Sequence, residues 1–180
     1  RDSGVRVVVG QRAGASFDLA ERDAFEPVGL DEAAEAGDLV NLLLPDEVQA
    51  ESFERHVRGR LRPGTGLMAG HGFNFRFGRI EAPPGVDRLL VAPVGPGQQL
   101  RSEFERGRGI PCFLAVDENA RPETLALGLA YAKAIGGTRA GAIRTEFAEE
   151  AEADFFCEPA VLCGGGVALV PRPLAAAGGG

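Results

Sequence analysis

An open α/β fold, with a parallel sheet wrapped by helices, is what this sequence predicts. Short β-branched apolar runs alternate along the chain with amphipathic Ala- and Glu-rich ones, and the connections between them are short. Gly and Pro are frequent, at 26 and 12 residues, which fits many turns and argues against a helical bundle. At 180 residues and 44% hydrophobic, the chain is long enough for one substantial core and short for two full domains.

The elements follow in order. Val5 to Gly10 is β-branched, bounded by glycines, and reads as a buried strand. A loop from Gln11 to Ser16 leads to a short helix at Phe17 to Asp23 and a brief strand at Phe25 to Val28. Leu30 to Ala36 is an Ala/Glu-rich helix. Asp38 to Leu44 is the next buried strand, stopped by Pro45. Between Glu47 and Arg58, the residues Val48, Ser52, Phe53 and His56 share one helical face. Leu67 to Ala69 and Leu89 to Ala92 are further strands, and Ile110 to Val116 is another apolar run. A long Ala-rich helix spans Pro122 to Ile135. Phe147 to Val161 reads as one acidic helix, and after Cys163 a Gly run and a Pro/Ala/Gly tail show no helical or strand period.

Composition excludes several function classes. With 19 basic and 26 acidic side chains the net charge is −7, against the basic footprint that nucleic-acid binding needs. No apolar stretch approaches the roughly 18 residues of a membrane span. Cys112, Cys157 and Cys163 are odd in number and lack CxxC spacing, which points to a reduced, cytoplasmic setting. The start carries no secretory pattern and no Met.

In an open parallel sheet, ligands bind at the carboxyl ends of the strands, so the residues just after each strand are the candidates. Arg12 and Ser16 lie in a Gly-containing turn after the first strand, where guanidinium, hydroxyl and backbone N–H groups can meet a phosphate. With no acidic residue at that strand end, Arg12 favours a 2′-phosphate and hence NADP over NAD. A plain polar loop accounts for the same residues. Asp46, Glu47, Val48 and Gln49 follow the next strand as the lining of a cofactor groove or as an acid-capped helix start. His71, flanked by Gly70 and Gly72, stands where a ligand can approach and can serve as acid, base or turn-stabilising group. His56, within a helix, reads as structural. Gly97 closes a rigid Gly-Pro-Gly segment that is either a set of N–H groups for a pyrophosphate or simply a tight turn. Asp154 and Glu158 share a helical face, either to hold Mg²⁺ or simply as a solvated acidic surface.

Taken in order, these segments resemble ketol-acid reductoisomerase (acetohydroxy-acid isomeroreductase). The text that carries the resemblance is Leu43-Leu44-Pro45-Asp46-Glu47-Val48-Gln49, Gly70-His71-Gly72-Phe73-Asn74, Phe77-Gly78, Val91-Ala92-Pro93 with Gly95-Pro96-Gly97, Leu129-Ala130-Tyr131-Ala132-Lys133 running into Ile135-Gly136-Gly137-Thr138-Arg139-Ala140-Gly141, and Asp154 through Glu158 ahead of Val161-Leu162-Cys163-Gly164-Gly165. The resemblance covers nearly all of residues 1–166. It implies a Rossmann-like NADP-binding domain over 1–146, the start of a helical, knotted domain over 147–166, and a tail over 167–180. It also implies an enzyme of isoleucine, leucine and valine synthesis that uses NADPH and Mg²⁺. The implied substrates are 2-acetolactate or 2-aceto-2-hydroxybutyrate, which undergo alkyl migration and then reduction. By this likeness His71 matches the active-site histidine, and Arg12 the 2′-phosphate position, with Ser16 beside it. Asp46 to Gln49 and Gly97 match cofactor-lining positions, and Asp154 and Glu158 match metal ligands.

The sequence departs from the family pattern in places. Val94 stands where a lysine normally precedes the Gly-Pro-Gly turn, Gln98 where a histidine follows it, and Pro159 where the metal helix has glutamine. The phosphate loop is short by one residue, with Ala15 at a usual serine. The family's first strand and Gly-rich turn are expected ahead of residue 1, and most of the helical domain after residue 180. The expectation is therefore an incomplete chain of a working reductoisomerase, with no turnover from this chain by itself. The alternative is a catalytically inactive remnant or interaction module. Family members associate through the helical domain, so a homo-oligomer is possible.

Overall fold

The computed structural model describes residues 2–157. Five strands, β1 (Leu39–Leu42), β2 (Gly66–Ala69), β3 (Asp87–Pro93), β4 (Cys112–Val116) and β5 (Ala142–Arg144), form one sheet in chain order. β1, β2 and β3 run parallel, β4 reverses against β3, and β5 runs parallel to β4. The helices are α1 (Ala15–Arg22), α2 (Leu30–Ala36), α3 (Asp46–Ser52), α4 (Phe73–Arg76), α5 (Gly97–Glu105), α6 (Pro122–Ala134) and α7 (Phe147–Cys157). The result is a Rossmann-like, mostly parallel sheet flanked by helices.

Side chains alternate across the sheet as the pleat requires. From β2, Leu67 and Ala69 face one side with Leu42, Phe53, Val57 and Phe75. Met68 faces the other side, with Leu89, Val91, Cys112, Leu114 and Ala132 of α6. Leu90, Ala92 and Ala115 meet Phe147 of α7. All four residues of β2 are buried, so the inner strands have both faces covered and contain apolar runs rather than polar alternation. Each fully buried Leu contributes about 1.5–3 kcal/mol of transfer free energy.

α6 shows how local sequence sets an element. Pro122 opens it with φ already fixed, Glu123 and Lys133 match the helix dipole at the two ends, and Gly136 takes the left-handed conformation just past its end (φ 85°).

Three expectations change. Val5–Gly10 is not a strand: it makes one isolated parallel bridge, Gly10 to Val28, flanked by the Val28 N–H to Val9 O and Gln11 N–H to Val28 O bonds. Val5, Val7 and Val8 are 51%, 48% and 37% exposed. Among the described residues no strand pairs with the other side of this segment, and β-branched composition alone does not complete a ladder. Phe25 to Val28 shrinks to the same bridge. The helix from Glu47 to Arg58 divides into α3, a π-helical turn at Phe53–Val57 and a 3₁₀ turn at Arg58–Arg60. Its buried positions are therefore Gln49, Phe53 and Val57, whereas Val48 is exposed. α4, α5 and β5 have no counterpart in the sequence reading.

Candidate functional site

β1, β2 and β3 end at one edge of the sheet, and each runs into a helix there. β1 leads through Leu43 and Pro45 into α3, β2 through Gly70 to Gly72 into α4, and β3 through Val94 to Pro96 into α5. α7 lies across the sheet face: Phe147 packs on Leu90, Ala92 and Phe75, and Glu150 reaches the turn after β2.

That turn holds the main constellation. Glu150 is buried, 4% exposed, and accepts the Gly72 N–H through Oε2 at 2.7 Å. Its Oε1 lies 3.2 Å from His71 Nδ1. His71 Nε2 lies 3.9 Å from Asp46 Oδ2, so the imidazole spans the space between α7 and the start of α3. Buried Asn74 donates through Nδ2 to Gln49 Oε1 at 3.0 Å and to Asp46 O at 3.2 Å. Gln49 in turn donates to Leu42 O and Leu44 O, each at 3.2 Å, tying the β1–α3 turn to the strand it leaves. The turns after β1 and β2 are thus held as one unit by buried amides.

A second candidate element is the loop before α1. Gly14 (φ 139°) precedes the helix, no side chain caps it, and the first inward bonds run from Phe17 N–H and Asp18 N–H to Gly14 O. Arg12 and Ser16 are both exposed there, Ser16 in the first turn. An uncapped N-terminus with a guanidinium and a hydroxyl beside it is suited to an anion, although Asp18 in the same turn opposes one.

Of the residues singled out by sequence, His71, Asp46 and Gln49 are brought together, with Glu47 and Val48 exposed on the same helix. Gly97 begins α5, and Val94 is 54% exposed after β3. The Asp154 side chain, Glu158, Pro159 and the 167–180 tail lie outside the described residues; the α7 backbone carries Asp154 one turn beyond Glu150. His56 pairs with Asp31 at 2.7 Å, in a cluster with Arg60. Sequence reasoning missed Glu150 as a partner of His71. At the opposite end of β3, a polar hollow is lined by Asp87, Arg88, Asp117 and Glu118, of which Arg88 and Asp117 pair with each other at 2.7 Å.

Residues 1–141 match the acetohydroxy acid isomeroreductase family, NADPH-binding domain. The chain belongs to this family. A ketol-acid reductoisomerase from an uncultured archean, described as NADH-preferring, superposes with a TM-score of 0.89 at 40% identity, over 98% of this chain and 56% of that one. The chain therefore spans little more than half of that reductoisomerase. A semialdehyde dehydrogenase NAD-binding protein from Cupriavidus necator, solved with calcium and NAD, shares the fold at 20% identity and a TM-score of 0.64, over 92% of this chain and 61% of its own. A pyrroline carboxylate reductase from Plasmodium falciparum, with NADP bound, does so at 11% and 0.58, over 93% of this chain and 57% of its own. The last two likenesses show a shared fold. No helix among the described residues is long and apolar enough to cross a membrane.

Proposed function

We propose that this chain supplies the cofactor groove and the active-site histidine of a ketol-acid reductoisomerase acting in branched-chain amino-acid synthesis. The reaction is alkyl migration in 2-acetolactate or 2-aceto-2-hydroxybutyrate followed by reduction to a 2,3-dihydroxy acid. The observation that carries the reading is the His71–Glu150 contact, which brings a helix from residues after the family match onto the carboxyl end of β2. A metabolic enzyme of this class works in the cytoplasm. The nucleotide-binding domain then runs to about residue 146, and α7 opens the next domain.

The residues divide by role. Arg12 and Ser16, with the uncapped start of α1, hold the 2′-phosphate of NADPH. Asp46, Glu47 and Val48 line the cofactor beside Gly97, and buried Gln49 supports that lining from beneath. His71 moves a proton at the substrate hydroxyl. Asp154 and Glu158, one helical turn apart, offer hard oxygen donors of the kind Mg²⁺ takes. When bound, NADPH supplies hydride and Mg²⁺ polarises the ketol oxygens. Glu150 is committed to Gly72 and His71, so metal ligation falls to the carboxylates beyond it.

The test is nucleotide binding. Arg12→Ala is expected to weaken NADPH at least tenfold and NADH by no more than about twofold, since a charge-assisted hydrogen bond contributes about 1.5–3 kcal/mol. Titration calorimetry showing equal loss for both cofactors would refute the assignment of Arg12. NADH is the second reading of the cofactor, favoured by the NADH-preferring protein that is 40% identical. A catalytically inactive module is the second reading of the function, favoured by exposed Val94 at the lysine position. Steady NADPH loss with 2-acetolactate and Mg²⁺ excludes that module.

A further inference from the structure

We propose that Asn74 is a positioning residue: from full burial, its side-chain NH₂ group holds the proposed cofactor lining after β1 and the histidine turn after β2 in one register. The inference rests on the reading of Asp46, Glu47 and Val48 as cofactor lining and of His71 as the active-site histidine. Asn74 lies in α4, a short way past His71, and is 1% exposed, so it meets neither cofactor nor substrate itself. Whatever it does for the reaction passes through its neighbours.

The amide orientations follow from the carbonyls at the far end of the network. Buried Gln49 faces Leu42 O and Leu44 O at 3.2 Å each, and only its NH₂ group can meet two carbonyl oxygens. Its Oε1 is then turned to Asn74, which donates there through Nδ2 at 3.0 Å. The second hydrogen of that NH₂ group goes to Asp46, whose main-chain O lies at 3.2 Å and carboxylate Oδ1 at 3.4 Å. Both hydrogens thus serve the turn after β1, and Asn74 Oδ1 is buried with no partner among the described residues. A buried acceptor without a donor destabilises the fold. The asparagine brings that unmet acceptor into the core together with its donors, which marks the donors as what the position needs.

Both helices need such a fix. α3 has seven residues and α4 four, and neither start carries a side-chain cap, so tertiary contact rather than helix stability sets their places. Asn74 is pinned on its own side: its main-chain O accepts the Arg79 N–H at 2.9 Å and the Ile80 N–H at 3.2 Å, and Ile80 is fully buried. From that anchored backbone the side chain reaches Asp46, whose other carboxylate oxygen, Oδ2, lies 3.9 Å from His71 Nε2. A shift of α4 is thereby a shift of Asp46, and exposed Glu47 and Val48 follow on the same helix.

Two substitutions separate donation from packing. Asn74→Asp keeps the shape and, ionised, has no donor, whereas Asn74→Leu removes the donors and the unmet acceptor together. Leu114→Val, on the opposite face of the sheet, lowers stability without reaching either turn and serves as the control. NADPH titration calorimetry on the 180-residue chain, at a temperature where far-ultraviolet dichroism shows each variant folded, reads the affinity of the native state. Cofactor-free ¹H–¹⁵N spectra follow the Glu47 and Val48 amides, and ring ¹H–¹³C spectra follow His71. The chain has only two histidines, and His71→Gln assigns the ring signals.

Both Asn74 variants are expected to weaken NADPH about fivefold to tenfold and to move the Glu47 and Val48 amides together with the His71 ring signals. Leu114→Val is expected to leave all three readouts as in the wild type. Weakening by only one Asn74 variant, which would make shape or the introduced charge the cause, overturns the proposal. An affinity within about twofold of the wild type in both variants, or a loss matched by Leu114→Val, overturns it too. If the wild type binds no NADPH, the cofactor reading fails by itself, and the spectra decide the rest. Glu47 and Val48 amides that move no more in the Asn74 variants than in Leu114→Val then overturn Asn74 as the link between the turns.

Discussion

Asn41 sits in the middle of β1 on the face covered by α6, where its register partner is the fully buried Met68. Its Nδ2 donates to the Tyr131 hydroxyl at 3.1 Å, but its Oδ1 is buried with no partner among the described residues. Burial pushes the Tyr131 phenol up, and the Asn41 contact only partly offsets it. An unpaired buried acceptor costs about 1–3 kcal/mol, whereas removing both partners with apolar groups of similar shape is near neutral or stabilising. The double variant Asn41→Leu/Tyr131→Phe is therefore expected to be more stable by about 1 kcal/mol. Tyr131→Phe alone, which strands the amide donor as well, is expected to be less stable than the wild type. Urea unfolding with unchanged m-values checks both, and a destabilised double variant would show that the polar pair holds the α6 contact. The same scale shows what sequence can reveal of the site. His71 was legible because glycines flank a rare titratable residue at a strand end. Glu150 was not, because in sequence it is one of several acids on one helix, and only packing against Gly72 singles it out.

Elements are joined at the far end of the sheet by Asp87, which opens β3. It accepts the Arg121 N–H at 3.2 Å, the Arg121 guanidinium at 2.8 Å and the Thr124 hydroxyl at 2.5 Å, clamping the start of α6 to the strand. Burial raises its pKa, but the Thr124 and Arg121 bonds together outweigh that and hold the carboxyl below the usual value. The sign follows: this contribution is complete above the unfolded aspartate pKa of about 3.9 and is lost as pH falls through the lower folded value. Asp87→Asn is expected to cost about 1–2 kcal/mol at pH 7 and to flatten the fall in stability below about pH 4. Denaturant midpoints between pH 3 and 7 measure it, and an identical acid slope in the variant would remove Asp87 from the account. At this scale, long apolar runs with clear stops were readable: Leu30–Ala36 matches its expected helix, and β1 to β4 lie within or close to their expected runs. α5 was missed because Gly-Pro-Gly reads as punctuation, although Leu100 and Phe104 already stood four apart and Arg101 pairs with Glu105 at 2.9 Å. The Val5–Val9 run failed for the opposite reason: its propensity was right, but a strand also needs a neighbour on each side to be held in a sheet interior.

Taken as a whole, the candidate cofactor residues and the histidine turn lie on separate segments of the chain that only folding can bring together. A nucleotide that binds there binds the native state alone, so its affinity adds to stability by mass action. NADPH at a hundred times its dissociation constant is expected to contribute about 2.7 kcal/mol, which in a chain of this size raises Tm by roughly 5–10 °C. NADH lacks the group that Arg12 would hold. At the same concentration it meets a site weaker by tenfold or more, and its shift should be about half as large or smaller. The comparison is informative because both cofactors share every other contact, so the difference isolates the loop before α1. Equal shifts would mean that Arg12 and Ser16 do not read the 2′-phosphate, and the chain would then align with its NADH-preferring relative. No shift with either would mean that the edge formed by Gly10 to Ser16, Pro45 to Gln49 and Val94 to Gly97 does not hold a dinucleotide without further polypeptide.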